Sequence, residues 1–231
     1  MAEKIKDGQK EMVEPALQGT RNVLNSVNST ESVKRVVLTS TILAEKEAWK
    51  IQKAQSRWDM VVICPGLVLG PSLTTGSDSG SLFLLDELFS GQLWFGVPDL
   101  NFCTVDVREV VTAHIRAAEN VSASGRYIIS DSQMARFIGI SKHVRSHAQH
   151  PWTLPRHLLP TPLVRIVGPL FGLTPKWMRA NLGIRFSVDN ERGVKELGIS
   201  YRPLTETLDD HYKSWVAQKG KQAAKSKESQ K

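Results

Sequence analysis

Hydrophobic and polar positions along the first half of this chain alternate between two periods. Met12, Ala16, Val23 and Val27, with Val13, Leu17 and Leu24 beside them, recur at helical spacing and predict an amphipathic helix from about Gln9 to Asn28, with Pro15 near its start. Val33 to Thr39 is short, β-branched and continuous, as expected of a parallel strand covered on both faces. An Ala-, Glu- and Lys-rich helix follows from about Ile42 to Gln55, and Met60 to Cys64 is a second continuous apolar strand. The pattern predicts a Ser/Thr/Gly-rich loop over Pro71 to Ser81 and an apolar helix over Leu82 to Phe89 that Gly91 can end. It then predicts a strand over Asn101 to Val105, a helix from Asp106 to about Asn120, and a strand over Tyr127 to Ser130. Helix and strand in alternation imply α/β layering with parallel strands.

Beyond Met134 the texture changes. Pro151, Pro155, Pro160, Pro162, Pro169 and Pro175 punctuate short apolar helices, which reads as a smaller, mostly helical lobe. A capped helix is expected from Asp189 to Leu197, closed by Gly198, and a final amphipathic helix from Thr205 to Gln218. Leu163, Ile166, Val167, Leu170 and Phe171, with Trp177 and Met178 nearby, form an apolar stripe that reads as core or as the wall of a substrate pocket.

Composition narrows the class. The chain has 231 residues, 41% hydrophobic and 23% charged, ordinary for a globular protein. No apolar run is long enough to suggest a membrane span, and the charged N-terminus lacks an apolar signal core, so a cytoplasmic protein without a membrane partner is expected. The net charge of +7 is mostly local: from Ala217 onward five lysines stand against one glutamate. That stretch interleaves no aromatic platform with its lysines, so a solvated, disordered tail is expected rather than a nucleic-acid partner. Cys64 and Cys103 lie in apolar runs and read as buried thiols.

Several segments resemble one family. Val36-Val37-Leu38-Thr39-Ser40-Thr41, Leu43-Ala44-Glu45-Lys46-Glu47-Ala48-Trp49, Cys64-Pro65-Gly66-Leu67-Val68-Leu69-Gly70-Pro71, Val105-Asp106-Val107-Arg108-Glu109-Val110-Val111-Thr112-Ala113-His114 and Leu197-Gly198-Ile199-Ser200-Tyr201-Arg202-Pro203-Leu204 occur in the order found in the extended short-chain dehydrogenase/reductases, in the branch of dihydroflavonol, cinnamoyl-CoA and aldehyde reductases. The resemblance implies a Rossmann-like parallel sheet, here lacking its N-terminal strands, with a small, mostly helical C-terminal substrate lobe. The implied boundaries are 1–133 for the partial dinucleotide domain, 134–218 for the lobe and 219–231 for the basic tail. It also implies NADP or NAD as cofactor and a small apolar or aromatic carbonyl compound as substrate. Thr39, Ser40, Pro65, Gly66, Leu67 and Val68 would line the cofactor. Ser40 or Thr41 would be the hydroxyl that holds the substrate carbonyl, the alternative being ordinary turn hydroxyls.

The family's chemistry rests on a glycine-rich turn for the pyrophosphate and on a Tyr with Lys four residues later, where the ammonium lowers the phenol pKa. None of the sixteen glycines has the turn's spacing, and four residues after Tyr127, Tyr201 and Tyr212 stand Asp131, Thr205 and Val216. In the resembled family a few dozen residues carrying the Tyr and Lys separate the Thr-Ser-Ser strand from the Leu-Ala-Glu helix, whereas here the two are joined directly. The expectation is a truncated reductase with little or no activity, or a non-catalytic ligand-binding or interaction module derived from one. Asp106 and Glu109 have acid/base-like spacing but are explained by a helix cap, in which Asp106 accepts from the third helical N–H and Glu109 reaches back. His143, His147 and His150 have near-helical spacing, but with no Cys or carboxylate nearby they read as a solvated face, and no metal site is expected.

Overall fold

The computed structural model describes residues 13–39, 42–72 and 80–228. The first compact unit is built on a three-stranded parallel sheet with strand order β1-β2-β5: β1 (Arg35–Thr39), β2 (Asp59–Pro65) and β5 (Gly125–Ile129). Two helices, α1 (Glu14–Ser29) and α2 (Ile42–Lys53), flank β1 in sequence. Pro15 lies in the first turn of α1, where its missing N–H costs nothing. Leu24, Ala48, Trp58, Met60 and Val62 form one core of this unit. Val61 and Ile63 point to the other face of β2 and are fully buried, as are Ala113 and Ala117. Two-sided burial is the reason β2 reads as an unbroken apolar run.

The second unit is built on β3 (Leu67–Leu69), parallel to β4 (Asn101–Asp106), with β6 (Met134–Arg136) antiparallel on the other side of β4. Its helices are α3 (Gly80–Phe89), α5 (Phe137–Arg145), α6 (Thr161–Val167), α7 (Pro175–Asn181) and α9 (Leu204–Glu228), with short 3-10 turns at Pro151–Thr153 and Gly168–Phe171. Leu69, Leu85, Leu88, Val97, Phe137, Ile140, Leu154 and Leu208 share its core. The remaining helices are α4 (Val107–Glu119), most of which belongs to the first unit, and α8 (Glu191–Leu197), which also packs there. Gly198 ends α8 at φ +61, where a side chain would be strained.

The division follows packing, not sequence order. The chain crosses between units after Pro65, Glu109, Ile129, Asp189 and Ile199. The core residues of β3 and α3 are shared with α5 and α9. The tail differs from expectation. Helix α9 continues to Glu228 where a disordered stretch from 219 was expected, and residues 229–231 lie outside the described residues. Ala, Lys and Gln are strong helix formers and extend a helix already anchored by packing. Of the two readings of the apolar stripe, core applies only in part. Val164 and Met178 are buried, but Ile166 and Leu170 are 75% and 84% exposed, so the stripe is not core throughout. Cys103 is buried and Cys64 half-buried, both as free thiols. Among the described residues, no helix is long and apolar enough to cross a membrane.

Candidate functional site

Parallel strands present their C-terminal ends as the natural place for chemistry. At that end of β1 stands Thr39, exposed, with its hydroxyl 2.8 Å from Nε2 of His114 on α4. The Nδ1 of His114 is 2.8 Å from the Val110 carbonyl. A carbonyl can only accept, so Nδ1 carries the proton and Nε2 presents its lone pair. Thr39 is therefore the donor to His114, and its oxygen keeps its lone pairs free for a further partner. This pair was not foreseen. Thr39 was expected only as a cofactor contact, and His114 only as the last residue of a recognised segment. The expected catalytic hydroxyls, Ser40 and Thr41, lie outside the described residues.

Of the other expected cofactor contacts, Pro65 closes β2 in register with Ile129, while Gly66, Leu67 and Val68 belong to the second unit. Leu67 and Val68 are half-buried in β3. A Cβ built on Gly66 would come within 2.4 Å of the Cys103 carbonyl and 2.7 Å of Ser130 Oγ. The glycine is thus required by close packing of protein on protein.

The second unit holds a dense charged cluster. Asp106, whose side chain is fully buried, accepts from the backbone and the guanidinium of Arg108 at 2.7–2.9 Å. Burial pushes its carboxyl up, but Arg108 and the Thr207 hydroxyl outweigh this and hold it below the ordinary carboxylate range. Glu109 Oε2 accepts from the Asp106 N–H at 3.0 Å, completing the expected capping box. The cap differs in one detail: Asp106 accepts from the second helical N–H, that of Arg108, because its carboxylate is also drawn to the Arg108 side chain. Arg108 reaches on to Asp210, and Arg202 to Glu109 and Glu206. Thr104, Asp131, Tyr201 and Thr207 join this cluster in lining a small recess. On α9, His211 accepts the Gly70 N–H at Nδ1, and burial pushes its pKa down to about 4.

Two of the three tyrosines have visible structural roles. Tyr127 donates to Glu196 at 2.6 Å under the Arg192 guanidinium, and burial with Glu196 raises its pKa, opposite to what an acid–base phenol requires. Tyr212 stacks on Trp215. The fold also supplies what the sequence did not reveal beside the histidines: Asp209 of α9 lies 2.7 Å from His143 and 3.2 Å from His147.

No protein-family model matches the chain. Cinnamoyl-CoA reductase CAD2 of Medicago truncatula is 36% identical over 164 residues, covering 54% of this chain, so the match spans about half (49%) of that relative's length. Cinnamoyl-CoA reductase 2 of Arabidopsis thaliana is 26% identical over 251 residues, covering 92% of this chain and 68% of its own. Among solved structures, yeast methylglyoxal/isovaleraldehyde reductase Gre2, complexed with NADPH, superposes with a TM-score of 0.74 at 20% identity, over 94% of this chain and 74% of its own. Sequence and fold point the same way: the relatives matched are cinnamoyl-CoA reductases, and the fold is that of the solved reductase.

Proposed function

We propose that this chain carries the fold of an NAD(P)H-dependent reductase of small apolar or aromatic ketones and aldehydes, and that as written it has little or no reductase activity. The observation that carries this reading is the direct join between β1 and α2. In the family pattern a Ser-Lys pair and one further residue stand before the Leu-Ala-Glu of that helix, with Tyr four residues ahead of the Lys. Counted back from Leu43, the Lys place is Thr41 and the Tyr place is Val37. Val37 lies in β1, paired with Val61, so neither the phenol nor the ammonium is supplied there. The Arabidopsis alignment supports the same reading. It is longer than this chain, so the relative carries residues that have no counterpart here.

NADP or NAD is the cofactor that the family likeness brings, and it supplies the hydride in such reductases. Among the described residues, those expected to line it do not fit a complete site. The bare Cα of Gly66 is filled by the Cys103 carbonyl and Ser130, and the Thr39 hydroxyl proton is directed to His114. We therefore derive no step through the dinucleotide.

The second reading, a ligand-binding or interaction module, is favoured by β1. Among the described strands it is paired on one side only, by β2, and a free strand edge is a template for another strand. The test is to titrate the purified chain with NADPH and NADH, following tryptophan fluorescence and melting temperature, and to assay oxidation of NADPH with an aromatic aldehyde. A folded sample without turnover is the expected result. Saturable, aldehyde-dependent NADPH oxidation would sink the proposal.

A further inference from the structure

The end of α5 and one face of α9 bring together two imidazoles and a carboxylate that the reductase reading does not use. The ligand atoms of His143, His147 and Asp209 all lie within 4.8 Å of one another. His143 Nε2 and His147 Nε2 both face Asp209 Oδ1, at 2.7 and 3.2 Å. The side chains are 28%, 36% and 38% exposed, so an ion can reach them from solvent.

The hydrogen bonds around His147 fix its tautomer. Ser146 Oγ donates its only proton to the His143 carbonyl at 2.7 Å. It can therefore only accept from His147 Nδ1, 3.2 Å away, so Nδ1 carries the ring proton. Nε2 then points a lone pair at a carboxylate oxygen. A positive charge there, whether a second proton on the ring or a metal ion between the two groups, makes that contact favourable. The position suits a cation on a second count, since the backbone carbonyls at the C-terminal end of α5 leave partial negative charge there.

We propose that His143, His147 and Asp209 form a zinc(II) site. Two imidazoles and one carboxylate are a donor set zinc takes with three protein ligands and an open fourth position for water. Tetrahedral bonds of 2.0–2.1 Å place neighbouring ligand atoms about 3.3 Å apart. The His147–Asp209 separation already matches this, and His143 needs only to draw back slightly from Asp209. Ser146 holds the outer nitrogen of His147 in the way that orients metal-bound histidines generally. Bound metal would pin the end of α5 to α9.

The experiment uses the full chain, stripped with chelator and titrated at pH 7.5 with zinc chloride by calorimetry, with Co2+ as a coloured substitute. The expected result is one ion per chain, a visible absorption band typical of four-coordinate Co2+, and a melting temperature that rises with zinc. H147Q and D209N should each weaken affinity by at least about 100-fold, since even outer partners cost 10–100-fold. S146A alters an exposed residue and should cost about tenfold by releasing the tautomer. H150Q, which changes a ring packed against Trp152, should leave affinity unchanged. Absence of saturable binding at millimolar zinc, or equal affinity in the wild type, S146A, H147Q and D209N, overturns the proposal.

Discussion

The two compact units anchor their chain segments differently. In the first, arginines close helix and loop ends by donating to backbone carbonyls. Arg57 reaches Val27, Asn28, Thr30 and Val33 at 2.6–3.2 Å, gathering the end of α1. Arg35 reaches Ala117, Asn120, Val121 and Ala123 behind α4, and Arg116 reaches Leu197 and Gly198 behind α8. In the second unit, Arg108 and Arg202 are matched instead to Asp106, Asp210, Glu109 and Glu206. Carbonyls do not titrate and carboxylates do. The first unit also has carboxylate pairs, Arg35 with Asp59 and Arg192 with Glu196, but these carboxylates are exposed whereas Asp106 is buried, so the comparison teaches that the buried cluster of the second unit should carry the stronger dependence on pH.

The sharpest way to break this contrast is Asp106→Asn. Its carboxylate is fully buried and pairs with Arg108, so losing the charge removes the buried half of that pairing and leaves Arg108 with the more exposed Asp210. Unfolding free energy should fall by about 4 kcal/mol at pH 7. A loss below about 1 kcal/mol in denaturant titration would show that the cluster is surface decoration.

The next effect is acid sensitivity. His211 has a folded pKa of about 4 against 6.5 when free, so between those values the unfolded chain binds more protons and stability falls as pH falls. Its contribution is complete above pH 6.5 and lost by about pH 4, a change of about 3 kcal/mol. H211N can still accept from Gly70 through its amide oxygen, and should flatten the pH slope even if the mutant is less stable throughout. An unchanged slope would assign the acid loss elsewhere. Arg57→Ala sets the opposite expectation. It should cost about 2 kcal/mol, by the same amount at pH 7 and pH 5, because its acceptors are carbonyls. A cost that varies between those pH values would dissolve the contrast.

What the sequence made legible was local. Period and composition placed α2, β2 and the Asp106–Glu109 cap to within a few residues, because burial on both faces and helix capping leave marks in neighbouring positions. They did not show that Asp209 meets His143, or that Thr39 meets His114 across 75 residues. Those pairings are set by which strand end a crossover brings beside which helix, and periodicity gives a helix its faces but not its neighbours. The interleaving of the units was hidden for the same reason. β3 is short and half-buried, and only the fold shows that its core partners come from α5 and α9.

The smallest expected effect tests the strand end itself. Thr39→Val keeps the β-branched shape that β1 favours and removes only the hydroxyl. Thr39 is exposed, so stability should fall by about 1 kcal/mol or less. The informative readout is the nitrogen NMR of the His114 ring. In the wild type Nδ1 should carry the proton, held by the Val110 carbonyl, and Nε2 should show a hydrogen-bonded lone pair. In the variant Nδ1 should be unchanged, while Nε2 shifts toward the value of a nitrogen without a donor. If Nε2 is protonated in the wild type, Thr39 accepts from His114 instead. A hydroxyl that accepts would keep its own proton free to donate to a bound carbonyl, and the first unit would hold a group closer to the family's chemistry than this geometry assigns it.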